Sequence, residues 1–446
     1  MVKNKDLLSG PIFPVLASLA VPIMATSFIQ MAYNLTDMIW LGRLGADAVA
    51  SVGAAGMFMW FSNGLATLAK IGGQIKVAQS LGANDQKKAI KYAQSALQLG
   101  MIFACLFAIL TLLFSKQMIS FFKLNSALVE QDARSYLLIT CVFLIFSFLN
   151  QIFTGIFTAM GNSKSAFIAS TVGLIANIIL DPLFIFGGFS IPAMGVTGAA
   201  TATILAQVIV TLIFFYMMKQ DVVLFPHVTF FKKVWKYEMY EIFKIGLPAA
   251  LQTMLFSCIS IVIARIIADW GDHAVAIQKV GSQIESISWM TAEGYAAALN
   301  SFVAQNYGAN FLNRIHTGVK LSIKVMLAWG FFTTLILLFF PNIIFKIFIS
   351  DETVLPMGVE YLQILAFSQA FMCLEYASAG AFQGIGKTTP PSIVSIVFTA
   401  ARIPLAILLS SYIGLNGIWW ALTVSSITKG LVLYIWYNRT AKSLSI

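Results

Sequence analysis

The sequence predicts an all-α integral membrane protein with twelve transmembrane helices in two six-helix bundles. Three observations predict this fold: the composition, the length of the apolar segments and an internal repeat. Hydrophobic residues make up 59% of the 446-residue chain and charged residues 10%, whereas an average soluble domain is about 25% charged. A soluble fold of this length cannot bury so much apolar surface. A lipid bilayer is therefore the expected environment of the chain.

The apolar segments have the length of membrane-spanning helices. Crossing a hydrocarbon core of about 30 Å takes roughly 20 helical residues, and the alternating ~10-residue strands of an outer-membrane barrel are absent. Polar breaks divide the chain into twelve predicted helices: 12–42, 48–80, 88–115, 131–160, 164–187, 195–219, 240–268, 274–306, 314–341, 353–384, 389–412 and 415–438.

Basic residues are concentrated in alternate connections between these helices. By the positive-inside rule, the lysine-rich connections and both termini face the cytoplasm of a multi-pass protein in the cell membrane. The net charge of +10 is then a consequence of topology and does not indicate nucleic-acid binding. The basic set comprises Lys3, Lys5, Lys87, Lys88, Lys91, Lys164, Lys219, Lys232, Lys233, Lys236, Arg314, Lys320, Lys387, Arg439 and Lys442.

An internal repeat relates the two halves of the chain. Pro22 corresponds to Pro248 at an offset of 226 positions, and the same offset brings 78–84 (Ala-Gln-Ser-Leu-Gly-Ala-Asn) onto 304–310 (Ala-Gln-Asn-Tyr-Gly-Ala-Asn). Because each half has an even number of helices, the repeats are expected to be parallel, related by a pseudo-two-fold axis along the membrane normal, as in many transporters. The predicted domains are an N-terminal bundle at 1–219, a cytoplasmic linker at 220–239 and a C-terminal bundle at 240–446.

Two carboxylates inside the first bundle are the leading functional candidates, because intramembrane charges are costly. Asp37 shares a polar face of the first helix with Gln30, Tyr33 and Asn34, and Asp181 follows Asn177 by four residues on the fifth helix. Thr203 is expected at a similar depth. These oxygens suit a sodium ion, and two close carboxylates equally suit a shared proton. The alternative is that each acid marks a solvated helix end, since Pro182 follows Asp181.

The second bundle has its own intramembrane charges. Glu285, Glu293 and Glu375 are candidates for binding a cationic substrate in a cleft. A structural network of these acids with Arg402 or Lys279 is the alternative, because charges inside membranes usually pair.

Motifs for enzymatic chemistry are missing, so the chain is not expected to be an enzyme or to use a cofactor. The segment 381–388 differs from a phosphate-binding loop at its first glycine, which is Ala381, and it lies between two membrane helices. The histidines and cysteines do not have metal-ligand spacing. An integral-membrane transferase would need paired acids for Mg²⁺ at loop edges, and a channel would need a filter loop or charged ring.

These residues together resemble the MATE (multidrug and toxin extrusion) family over about residues 10–440. The resemblance rests on the duplicated plan, the proline pair, the Ala-Gln-x-x-Gly-Ala-Asn segments, the turns at 161–165 and 386–390, and 177–182. The segment 281–294 resembles the DinF-type branch of the family.

The resemblance implies an antiporter in which inward H⁺ or Na⁺ drives export of drug-like, often aromatic and cationic compounds. It implies a monomer in the bilayer, with cation coupling at Asp37, Asn177, Asp181 and Thr203, supported by Gln30, Tyr33 and Asn150. The NorM-type sodium-driven members carry a glutamate where this chain has Phe256, which favours H⁺ over Na⁺. A lipid-linked oligosaccharide flippase of the same superfold is the alternative, although buried basic residues are few.

Overall fold

A computed structural model describes residues 6–122, 124, 126–188, 191–221, 224–229, 235–348 and 354–444. The regular structure of these residues is helical, apart from a single bridge between Gly188 and Ile191. The helices are α1 (Ile12–Leu44), α2 (Ala46–Gly82), α3 (Gln86–Ser120), α4 (Ala127–Val142), α5 (Leu144–Ala159), α6 (Ser163–Phe186), α7 (Gly195–Gln220), α8 (Lys236–Ala268), α9 (Asp272–Gly308), α10 (Leu312–Phe339), α11 (Pro341–Lys346), α12 (Leu355–Ala366), α13 (Gln369–Gly384), α14 (Thr389–Ala400), α15 (Arg402–Ile413) and α16 (Leu415–Leu444), with a 3₁₀ turn at Phe225–His227.

The predicted membrane helices are present in the structure. In the described ranges, nine helical spans are long and apolar enough to cross a bilayer, and up to eleven if the bent pairs α4–α5 (49°) and α12–α13 (44°) each form one span. The 37-residue helix α9 covers the predicted segment 274–306, but it contains charged residues and is not among those spans. The prediction of an all-α multi-pass membrane protein is confirmed.

Two predicted helices are interrupted in ways that the sequence does not signal. The predicted helix 131–160 is broken at Phe143, which joins α4 to α5, and 353–384 is broken at 367–368 between α12 and α13. Neither break contains proline or glycine, the usual causes of a kink. Conversely, Pro22, Pro182 and Pro248 lie inside continuous helices.

The duplication is visible in the backbone as well as in the sequence. Helices α2 and α9 both have 37 residues and begin 226 positions apart. Asn84 and Asn310, also 226 apart, both adopt a left-handed conformation, with φ of 57° and 58°. Such residues reverse the chain after a helix, and asparagine tolerates this conformation better than most residues.

By internal contacts the chain divides into two compact units. The first contains Ala25–Ala250, and the second contains Leu7–Met24 together with Leu251–Ile446. The beginning of α1 therefore packs with the second unit, and the beginning of α8 packs with the first. In each helix the boundary lies two residues after a proline, which is Pro22 in α1 and Pro248 in α8. This grouping by contacts differs from domain boundaries drawn at 219 and 240, which remain a prediction based on the sequence repeat. Of that predicted linker, residues 222, 223 and 230–234, with Lys232 and Lys233, lie outside the described residues, as do Lys3 and Lys5.

Close packing and ion pairs attach the beginning of α8 to the first unit. A Cβ atom on Gly72 of α2 would lie 2.4 Å from the carbonyl oxygen of Ile242, and one on Gly246 would lie 2.1 Å from that of Leu68. Glycine is required at both positions because the backbones are in direct contact. Lys76 forms an ion pair with Glu241, which also accepts a 3.0 Å hydrogen bond from the Tyr92 hydroxyl.

Candidate functional site

The first unit holds the two predicted carboxylates side by side. Asp37 of α1 lies close enough to Asp181 and Asn177 of α6 to interact with both side chains. The Asn177 amide donates a 3.1 Å hydrogen bond to Asp181 Oδ1. Asn177 is fully buried, Asp181 is 1% exposed and Asp37 is half-buried. The structure thus brings together three of the four residues predicted to bind the coupling cation.

Hydroxyl groups from three further positions complete the cluster. Tyr33, one turn before Asp37 on α1, interacts with Asp37, Asp181 and Thr203. Tyr136 of α4 also interacts with both carboxylates and with Thr203. Thr203, the fourth predicted residue, is therefore part of the site. Tyr136 was not predicted, because nothing in the local sequence of α4 distinguishes it from a core tyrosine.

Local helix geometry places these groups on the inward faces of α1 and α6. Tyr33 and Asp37, and likewise Asn177 and Asp181, are four residues apart and therefore share a helix face. The solvated-end interpretation of Asp181 does not hold, because α6 continues through Pro182 to Phe186 and the carboxylate is buried. A proline in a membrane helix is tolerated when other groups satisfy the freed backbone.

Four oxygen atoms in this cluster are buried without a hydrogen-bond partner: Tyr33 Oη, Asp37 Oδ1, Asn177 Oδ1 and Asp181 Oδ2. Within the described part of the chain, the side chains recorded as interacting with Asp37 are Asp181, Asn177, Tyr33 and Tyr136, and none of them is basic. Two adjacent carboxylates without a positive partner require a proton or a cation to be stable in an apolar interior. The donor set fits both, since it offers carboxylates to a proton and carboxylate, amide and hydroxyl oxygens to Na⁺.

A second polar network lies in the same unit, farther along α7 than Thr203. Asn150 of α5 donates hydrogen bonds to the backbone oxygen (2.9 Å) and to Oε1 (2.8 Å) of Gln207, and it accepts one from Thr211 (2.8 Å). Thr203, Gln207 and Thr211 are spaced by four residues on α7, so this stripe extends about 12 Å along the helix. Asn150 was predicted as a neighbour of the site, and its hydrogen bonds with Gln207 and Thr211 connect it to this stripe. The spacing of Gln207 and Thr211 was a signal that sequence reasoning missed.

Two other predicted residues are not brought into the cluster. Gln30 and Asn34 are exposed on α1, and among the described contacts neither is recorded against the two carboxylates. Their predicted supporting roles remain predictions.

In the second unit, the predicted charges form a mixed cluster. Glu375 pairs with Lys429 at 3.2 Å, and Arg402 donates to the hydroxyls of Ser425 (3.1 Å) and Ser426 (3.0 Å). Glu285 is within electrostatic range of Arg402 and Lys429, whereas Glu293 and Lys279 are exposed. Glu375 is therefore part of a structural ion pair, as the alternative interpretation expects. Its partner is Lys429 and not Arg402 or Lys279.

Comparison with known proteins identifies the family. A family model described as MatE matches residues 22–183 and 248–408, one stretch in each half of the repeat. The chain is 27% identical over 411 residues to a probable multidrug resistance protein NorM from Thermotoga maritima, covering 91% of this chain and 87% of that protein. It is 23% identical to an FAD transporter from Shewanella oneidensis, covering 98% and 97%.

The fold also matches that of solved transporters. A crystal structure of MATE in the bent conformation superposes with a TM-score of 0.91, at 24% identity and with 99% of each chain covered. The residues that the family model matches make up more than half of the chain. The chain belongs to the MatE family of membrane transporters and is not an enzyme.

Proposed function

We propose that this protein is a proton-coupled antiporter that exports organic, often aromatic and cationic compounds by alternating access. It would act as a monomer of the DinF-type branch in the cell membrane, with both termini in the cytoplasm. The observation that carries the proposal is the Asp37–Asp181 pair, in which Asp181 is buried and Asp37 half-buried. Among the described residues, the groups that interact with this pair include no basic side chain. A site of this kind needs a positive species, so its stability depends on binding one.

Coupling follows from the position of the pair between two helices. Protonation from the outside removes the charge of the pair and lets α1 reorganise against α6, which releases the exported compound. Loss of the proton toward the cytoplasm resets the site. Such a cycle works only if the proton and the compound stabilise different conformers. The stripe of Thr203, Gln207 and Thr211 offers hydrogen-bonding groups along α7 on the inner side of the pair.

Two considerations favour H⁺ over Na⁺ as the coupling ion. The glutamate of the NorM-type sodium-driven members is replaced here by Phe256. A shared proton also explains how two carboxylates can lie together in an apolar interior. Sodium bound by Asp37, Asn177, Asp181 and Thr203 is the alternative, because the unpartnered oxygens suit it as well.

The names of the relatives support small-molecule export. The Thermotoga protein is named for multidrug resistance and the Shewanella protein for FAD transport. We therefore place this chain among exporters of drug-like compounds. The two names cover compounds of different chemistry, so the charge of the exported compound is inferred from the chain's own residues.

The test is efflux of a fluorescent organic cation from proteoliposomes under an imposed pH gradient or an imposed Na⁺ gradient. We expect the pH gradient alone to drive efflux, and Asp37→Asn to abolish it. Asp47→Asn is the matched control, because Asp47 is exposed in the first turn of α2. Efflux driven only by Na⁺ would refute proton coupling and assign the same residues to a sodium site. Full activity of Asp37→Asn would refute the role of the pair.

A further inference from the structure

The connection between the two halves of the chain inserts an aromatic side chain into the first unit. Phe225 begins the 3₁₀ turn Phe225–His227 and is 4% exposed, and Leu224 before it is fully buried. Connections between helices usually run over the protein surface. Two successive buried apolar side chains show that this turn is packed into the first unit.

Phe225 completes a cluster of four phenylalanine rings with α5 and α7. Its ring centroid lies 5.0 Å from that of Phe157 and 6.3 Å from that of Phe153, both on α5. Phe214 of α7 stacks on the same two α5 rings, at 5.6 and 5.4 Å. All four side chains are buried. We call these four residues the phenylalanine cluster.

The phenylalanine cluster follows the polar stripe toward the end of α7 that faces the cytoplasm in the proposed topology. Phe214 comes three residues after Thr211, and Phe153 comes three residues after Asn150. On each helix a ring therefore lies one turn beyond a polar side chain, on the same face. Thr211 and Asn150 are themselves joined by a 2.8 Å hydrogen bond. The distance along α7 from Thr203, beside the carboxylates, to Phe214 is about 16 Å.

This order of side chains places an apolar barrier between the carboxylate pair and the cytoplasm. Closely packed rings exclude water, and a constriction without water blocks the passage of ions. A cation that leaves the pair inward along the stripe reaches polar groups as far as Thr211 and then meets the rings. The phenylalanine cluster must therefore open before the cation is released on that side.

Phe225 is the member of the phenylalanine cluster that is held least rigidly. The other three rings belong to the interiors of α5 and α7. The turn that carries Phe225 is fixed by Asp221, whose Oδ2 accepts hydrogen bonds from the backbone N–H groups of Leu224 (2.8 Å) and Phe225 (3.0 Å). Displacing Phe225 breaks these two bonds and its ring contacts, whereas displacing another ring of the cluster distorts a membrane helix.

We propose that Phe225 is the inner gate on the path of the coupling cation. Its ring closes the path while it is packed in the phenylalanine cluster, and withdrawal of the turn lets water reach the polar stripe. This inference rests on the proposed cation-coupling site and deepens it, because it assigns the inner barrier to the connection between the two halves. It applies to H⁺ and to Na⁺ alike, since each needs water or polar groups along its path.

Water access to the polar stripe is measured with a cysteine introduced by Thr211→Cys, at a position that is 1% exposed. The probe is 2-sulfonatoethyl methanethiosulfonate, a membrane-impermeant anion that reacts with thiolates, which form where water reaches the thiol. The protein is held in lipid nanodiscs without an ion gradient or substrate, so a failure of proton coupling does not affect the result. Mass spectrometry of the peptide that contains position 211 excludes any contribution from the native cysteines.

Variants in the Thr211→Cys background separate a gate from ordinary core packing. Phe225→Ala should raise the modification rate about tenfold or more, because water fills the space of the ring, whereas Phe225→Leu keeps the apolar bulk and should stay within about twofold. Asp221→Ala loosens the turn without altering the rings and should raise the rate about threefold. Phe148→Ala is the matched control, since Phe148 is a fully buried ring of α5 on the other side of Asn150, and its rate should not change.

An unchanged modification rate in Phe225→Ala would overturn the proposal. An equal rise in Phe148→Ala would also overturn it, because loss of core packing alone would then admit the reagent. If Phe225→Ala does not fold, Asp221→Ala decides, since all four rings are retained. A faster modification in that variant supports the gate, and an unchanged rate refutes it.

Discussion

Substitution of Gly72 by alanine tests the packing that attaches the beginning of α8 to the first unit. The new Cβ would lie 2.4 Å from the carbonyl oxygen and 2.8 Å from the Cγ2 atom of Ile242. A carbon and a carbonyl oxygen ordinarily approach to about 3.3 Å. The two backbones must therefore separate by about 1 Å, since a carbonyl group in a helix cannot rotate away. Overpacking of this kind costs about 1–3 kcal/mol.

Gly56, on the same helix α2, provides the matched comparison. A Cβ at Gly56 would have no atom within 4 Å, so Gly56→Ala should gain about 0.5–1 kcal/mol from reduced backbone freedom. Gly72→Ala has the same gain, because both glycines lie inside α2. The two alanine variants should therefore differ by about 1–3 kcal/mol in free energy of unfolding, measured by titration with a denaturing detergent in mixed micelles. Equal stability of Gly72→Ala and Gly56→Ala would refute the close approach of α2 and α8.

Three further predictions concern the polar groups of the first unit. Asp37→Asn should raise the free energy of unfolding at neutral pH by about 1–2 kcal/mol, because the wild-type pair must either hold two like charges or take up a proton from solution. The gain should shrink as the pH falls, since taking up that proton then costs less, and lower stability in the variant would contradict the like-charge pair. Asn150→Leu should lower the free energy of unfolding by about 2–4 kcal/mol, since Gln207 Oε1 and the Thr211 hydroxyl lose a buried partner. Gln151→Leu should change it by less than about 1 kcal/mol, because Gln151 is only partly buried and its hydrogen bond to Asn63 is solvent-exposed. Glu241→Gln removes the ion pair with Lys76 and should lower the free energy of unfolding by about 1 kcal/mol or less, because both side chains are partly solvated. If the ion pair is the cause, Glu241→Gln should have no effect on the free energy of unfolding in a Lys76→Met background.

The sequence was sufficient to predict the membrane class, the duplication and the two carboxylates. Each of these features has a visible sequence pattern: an uncharged segment, a constant offset of 226 positions or a polar face on an apolar helix. Asp37 and Asp181 were identifiable because a charge inside an apolar segment needs an explanation.

Features that depend on tertiary packing were not predictable in the same way. Tyr136 joins the site only because α4 packs against α7, which carries Thr203. An isolated tyrosine in an apolar helix gives no sign of this. The breaks at Phe143 and at 367–368 occur without proline or glycine. The pairing of Glu375 with Lys429, and not with Arg402, depends on the relative rotation of α13, α15 and α16, which the sequence does not encode locally.

The most direct test of the central claim is to measure proton movement and substrate movement in the same proteoliposomes. An internal pH dye and a fluorescent organic cation would be followed together at constant Na⁺, for the wild type, Asp37→Asn, Asp181→Asn and the exposed-acid control Asp47→Asn. We predict that substrate triggers proton movement in the wild type and in Asp47→Asn, and in neither of the two buried-acid variants. Substrate-triggered proton movement that persists in both Asp37→Asn and Asp181→Asn would contradict the assignment of this pair as the coupling site.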